Sequence, residues 1–184
     1  MRRVGAAHHQ PWTGYLDPYG VVAAVVAGVG WGARVPQRSG RTATMLLRLV
    51  AALVVHGVLA AAGFAAYRAS SGPEVLGTLV PASDVLHGSV ALGSTAAQVA
   101  VGFGVVNLAC GLLALVPIPP LELGLILWSR LPRSPQARRI AFRVLEEQWG
   151  VAVLLLLLLL PLAGQPPALL AVINVIGGAI LGAL

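Results

Sequence analysis

Residues 107–124 read NLACGLLALVPIPPLELG, an apolar helical run as far as Val116, then Pro-Ile-Pro-Pro, then a carboxylate at Glu122. Pro117, Pro119 and Pro120 remove three backbone donors and forbid a continued helix. Hydrocarbon tolerates broken backbone of this kind only where protein or a water-filled cavity surrounds it. A carboxylate at membrane depth costs about 2.5–3.5 kcal/mol or more, so Glu122 marks a site rather than a surface.

The remaining composition agrees with a lipid environment. Hydrophobic residues make up 58% of the 184 and charged residues 10%, and the mean hydropathy is +0.87, far more apolar than a soluble domain. The formal charge of +6 comes from twelve arginines without a lysine. They flank apolar spans, which speaks for membrane topology and against nucleic acid. Cys110, the one cysteine, lies inside an apolar span and excludes a disulfide framework or a thiolate metal site. After Arg2 and Arg3 come His8, His9, Gln10 and Pro11 rather than an apolar run, so no cleavable signal peptide is expected.

The chain is therefore expected to be an all-α, polytopic integral membrane protein with one membrane domain over residues 1–184 and about four spans. Residues 19–31 are too short to cross a bilayer and hold Gly20, Gly28 and Gly30. This stretch, within a leader of residues 1–42, reads as a re-entrant or interfacial segment, with Trp12, Tyr15, Tyr19 and Trp31 at headgroup level. Spans are expected at 43–67, with Arg48 snorkelling to the interface, and at 90–116, 149–163 and 168–184. An external loop covers 68–89 and a cytoplasmic loop 117–148, in which 136–148 suit a basic surface helix. Arg2, Arg3, Arg34, Arg38 and Arg41 precede the first full span, and Arg130, Arg133, Arg138, Arg139 and Arg143 follow the second. The segment 70–89 has no basic residue, so both termini and the Glu122 loop are expected on the cytoplasmic side. The expected location is a bacterial cell membrane.

Asn107 through Glu122 resembles the third-ligand motif of the site-2 protease family of intramembrane zinc metalloproteases, an Asn followed by Phe-Asn and a Pro-x-Pro-Pro-Leu-Asp-Gly run. YLDPYG at 15–20 and GVGWGARVP at 28–36 resemble that family's His-x-Asp-Pro-x-Gly and Gly-x-Gly-Trp-x-x-Pro-Val-Pro segments, in the same order. The likeness extends from Gln10 to about Ala163. It implies a zinc ion held by two histidines of a His-Glu-x-x-His helix and one Asp, with the Glu activating a metal-bound water against a peptide bond in a transmembrane substrate.

Several of those residues are absent. None of His8, His9, His56 and His87 stands in a His-Glu-x-x-His pattern. Asn107, Pro117, Ile118, Pro119, Pro120 and Leu121 match the motif, but Glu122 stands at the Asp position, longer by one carbon–carbon bond of about 1.5 Å. Leu123 replaces the following Gly, Leu113 and Ala114 replace Phe-Asn, and Tyr15 replaces the His before Asp-Pro. Glu122 is thus expected to be a vestigial metal-ligand position, or a cap or ion-pair partner of Arg130 or Arg133. His56 is expected to bond across helices or to act as a ligand or proton relay. Asn107 is expected to bond across helices and Asp17 to form a turn before Pro18. His8 and His9 are read as solvated, or as able to approach Glu122.

Three functions follow. The first is a catalytically inactive membrane-embedded binding or regulatory protein without a cofactor, whose partners are transmembrane helices and the bilayer, with a homo-oligomer allowed and no nucleic acid. The second is an intramembrane zinc metalloprotease, truncated at its N-terminus or completed by another subunit. The third is an oligomeric channel-like subunit using His56, Asn107 and Glu122 as a polar path.

Overall fold

A computed structural model describes residues 15–33, 42–71, 81–89, 93–130, 134–161 and 166–183. Among them are eight helices and no strand: α1 (Pro18–Ala27), α2 (Thr42–Ser71), α3 (Ala82–Leu86), α4 (Thr95–Ala114), α5 (Glu122–Ser129), α6 (Pro135–Leu145), α7 (Trp149–Leu159) and α8 (Ala168–Ala183). The all-α class is as expected.

Two of these helices, α2 and α4, are long and apolar enough to cross a membrane. At about 1.5 Å per residue, the 30 residues of α2 reach about 45 Å and the 20 of α4 about 30 Å. In the core of a soluble protein such helices would be mostly buried, but the most apolar window of α2 is 22% buried and that of α4 39%. Leu47, Val50, Val54, Val55 and Val58 of α2 are exposed instead, the exposure expected of side chains that face lipid.

The other two expected spans are shorter. Helix α7 has 11 residues and α8 has 16, below the roughly 20 a perpendicular span needs. Inside the expected loop 117–148 stand two helices, α5 and α6, and inside the expected loop 68–89 stands α3. Pro135 at the first turn of α6 and Ser134, whose hydroxyl accepts from Ala137 N at 3.2 Å, start the basic helix a residue earlier than expected.

Helices α2 and α4 pack antiparallel along their whole length. Leu49 meets Ala114 at one end, His56 meets Asn107 in the middle, and Gly63 meets Gly104 towards the other end. A Cβ on Gly63 would stand 2.6 Å from the Gly104 nitrogen, so the missing side chain sets the helix separation. Ala97, Val101, Val105, Ala109, Phe64 and Tyr67 fill the seam and join the main core. Helix α4 starts at Thr95 rather than 90, since Ser94 caps it after Gly93 at φ +75°. It ends at Ala114, two residues short of the expected end, because the residue before Pro117 is pushed out of the α region.

Residues 15–33 form a hairpin. Asp17 caps α1, its carboxylate accepting from Tyr19 N at 2.9 Å and Gly20 N at 3.0 Å, and Pro18 occupies the first turn. Gly28, in the left-handed region at φ +74°, reverses the chain. The returning segment lies so close to α1 that a Cβ on Gly20 would collide with the Trp31 carbonyl, and one on Gly30 with the Gly20 carbonyl. Ala33 N then donates to Tyr15 O at 2.8 Å, beside a bridge between Leu16 and Gly32. The two ends of the hairpin thus lie side by side.

Candidate functional site

The hairpin base and the Pro-Ile-Pro-Pro turn, 87 residues apart between Ala33 and Pro120 in sequence, converge on one cavity of about 410 Å³. Trp31, Gly32 and Ala33 form one wall, Met45 and Arg48 of α2 a second, Pro120, Leu121, Glu122, Leu125 and Ser129 a third, and Leu145 of α6 closes it. The volume falls in the range of about 300–1,000 Å³ typical of small-molecule sites.

The turn is held by two glycines. A Cβ on Gly124 would overlap Ile118 and Pro119, and one on Gly150 would meet the Pro119 carbonyl. Gly124 of α5 thus packs on the Ile118–Pro119 peptide and Gly150 of α7 on the next, Pro119–Pro120, while Leu121, 3% exposed, is anchored in the core. Glu122 follows as the first residue of α5, exposed, with its charge at the positive end of the helix dipole. Leu121 is the N-cap residue and no side chain caps the helix by a hydrogen bond, and Glu122 shares the cavity with Arg48 of α2. Of the two ion-pair partners expected for Glu122, Arg130 is the C-cap residue at the opposite end of α5 and Arg133 lies outside the described residues.

His56 and Asn107 do meet. The Asn107 amide Nδ2 donates to the Phe103 carbonyl at 2.9 Å, which turns its Oδ1 towards His56 Nδ1 at 3.1 Å. An amide oxygen only accepts, so Nδ1 carries a proton and donates it, while Nε2 has no hydrogen-bond partner among the described residues. His56 sits at the midpoint of α2 and Asn107 is buried, so this is the interhelical hydrogen bond expected of both residues. It is remote in sequence and in helix depth from Glu122, whose neighbours on α2 are Met45 and Arg48.

His87 is engaged elsewhere, with Nδ1 facing the Ser83 carbonyl at 2.6 Å and Nε2 facing the Val26 carbonyl at 3.0 Å. It therefore ties α3 to the tip of the hairpin. Ser83 in turn exchanges two bonds with Asn174 of α8: its N–H donates to Asn174 Oδ1 at 2.7 Å, and Asn174 Nδ2 donates to its hydroxyl at 3.0 Å. The Asn174–Ser83 pair was missed in the sequence, where a lone Asn in an apolar run and a Ser in a loop gave no sign of each other.

The zinc site implied by the resemblance does not fit the described residues. No three His, Cys, Asp or Glu among them gather as ligands, and the two described histidines are bonded as above. His8 and His9 lie outside the described residues, as do Trp12, Arg2, Arg3, Arg34, Arg38 and Arg41. No family model, curated protein or solved structure matches the chain.

Proposed function

We propose that this chain is a polytopic membrane protein with a site-2-protease-like scaffold that binds other transmembrane helices without cutting them. The observation that carries the reading is the convergence of the hairpin base and the Pro-Ile-Pro-Pro turn on one cavity, in which, among the described residues, Glu122 is accompanied by an arginine rather than by histidines. The two motifs that resemble the protease family are 87 positions apart between Ala33 and Pro120, and their sharing of one cavity supports a common architecture. A guanidinium beside the position of the third ligand supplies a fixed positive charge where that family's chemistry calls for a metal ion.

In this reading α2, α4, α7 and α8 are the four spans, the last two shortened, and the hairpin is re-entrant from the cytoplasmic side that also holds both termini. The exposed apolar flank of α2 seats a partner helix. His56 Nε2, at the middle of that helix and without a partner among the described residues, accepts a hydrogen bond from a hydroxyl or amide of the partner, a contact worth about 0.6 kcal/mol in lipid.

Metal analysis of the purified protein, with a cleavage assay on a transmembrane peptide, tests the reading. Zinc well below one equivalent and an intact peptide are expected. One equivalent of zinc that is lost on Glu122→Ala, or zinc-dependent cleavage of the peptide, would overturn it in favour of a metalloprotease.

A further inference from the structure

The cavity has a chemistry of its own. Its walls from Trp31, Met45, Leu121, Leu125 and Leu145 are apolar, and the charged residues among the described ones that line it, Arg48 and Glu122, are of opposite sign. An occupant that complements it carries an anion and a cation a few bonds apart and continues into an apolar chain. A single-sign ligand would leave one of the two charges facing its like, which costs free energy in a partly apolar site.

Depth selects further. Arg48 is the seventh residue of α2, about 9 Å from its start. With the 45 Å of α2 centred on a hydrocarbon core of about 30 Å, roughly 7 Å project at each end. Arg48 and the cavity then lie at the boundary between headgroups and acyl chains, on the side where α4 ends and α5 begins.

We infer that the cavity binds the headgroup of phosphatidylethanolamine, with Arg48 on the phosphate, Glu122 on the ammonium, and an acyl chain against Leu121 and Leu125. The guanidinium fork matches a phosphate in a bidentate manner. The primary ammonium has three N–H donors for the Glu122 carboxylate, whereas the trimethylated headgroup of phosphatidylcholine has none. The inference rests on the reading of the chain as membrane-embedded, but not on its being inactive.

The test is lipid retention by the full chain in detergent, read by native mass spectrometry against phosphatidylethanolamine and phosphatidylcholine with identical acyl chains. Retention of phosphatidylethanolamine about tenfold above phosphatidylcholine is expected, the factor that one charge-assisted hydrogen bond supplies. Glu122→Gln should bring the two lipids level. Arg48→Gln should lower both, and Arg138→Gln, on α6 outside the cavity, should change neither. Equal retention of both lipids by the unaltered protein, or an unchanged preference in Glu122→Gln, would overturn the inference. So would displacement of the lipid by equimolar phosphoethanolamine, which would show a site for a soluble zwitterion. Should Arg48→Gln fail to fold, the Glu122→Gln ratio alone decides. Extraction of the protein from bilayers by alkaline carbonate would instead defeat the membrane reading, so the two failures are distinguishable.

Discussion

His56 and Asn107, fifty-one residues apart, share a hydrogen bond of 3.1 Å at the midpoint of the longest helix. The partner amide is itself fixed by the Phe103 carbonyl one turn earlier, so the direction of the bond is set by the backbone of α4. Truncating either residue should weaken the α2–α4 pair by similar amounts, and a double-mutant cycle on His56→Ala and Asn107→Ala should return a coupling of about 0.6 kcal/mol, at most about 1.7. Imidazole nitrogen shifts should report a proton on Nδ1 in the unaltered protein, and those shifts should move in Asn107→Leu.

Glycines on α2 should respond to alanine with opposite signs. At Gly63 the new methyl meets the Gly104 backbone at 2.6 Å, so Gly63→Ala should destabilise by about 1–3 kcal/mol through overpacking. At Gly57 nothing stands within 4 Å, and Gly57→Ala should be neutral or gain up to about 1 kcal/mol from helix propensity. Unfolding titrations of both variants in the same micelle check the contrast.

Gly124→Ala should disturb the cavity without touching its charges. The methyl would displace Ile118 and Pro119, and with them Leu121 and Glu122. We expect a stability loss of about 1–3 kcal/mol and altered reactivity of a cysteine introduced at Leu125, while Gly178→Ala, which meets nothing within 4 Å, should leave that reactivity unchanged.

Asn174→Leu should free Ser83. The buried Ser83 amide loses its acceptor and its hydroxyl loses a donor, a cost of about 1–3 kcal/mol. Hydrogen exchange at Ser83 should accelerate, with His87 exchanging faster as well, because α3 then loses its tie to α8.

The two long helices and the turn at Asp17-Pro18 were legible in the sequence, and the reasons are local. Uninterrupted apolar runs mark α2 and α4, and Asp before Pro marks the start of α1, whereas the reversal at Gly28 that makes the segment a hairpin depends on a left-handed backbone that the residue type alone does not announce. The ends of α4 were less clear because Ser94 and Pro117 override an apolar run that continues past both. Helix α5 was hidden by its own prolines: a Pro-rich turn followed by a charge reads as loop, although Glu122 at a first turn and the Gly124 contact are helix-forming features. The meeting of His56 with Asn107 could not be read from spacing, since a separation of 51 residues carries no periodicity. Residues Pro117, Pro119 and Pro120 announced a site, but Arg48 was read there as a snorkelling side chain. Nothing local to α2 places it across from Glu122.

The lengths of the helices give the molecule unequal flanks. Along α2 and α4 the apolar wall is at least about 30 Å tall, whereas α1 and α7, packed against each other, are about 15 and 16 Å and α8 about 24 Å. In the proposed membrane-embedded reading, a bilayer that matches the α2–α4 flank is too thick for the other by several ångströms, and lipid around α1, α7 and α8 would thin at a fraction of a kcal/mol per ångström. The chain would in that setting act as a wedge, and a partner whose own span is short would fit its thin side at the least elastic cost.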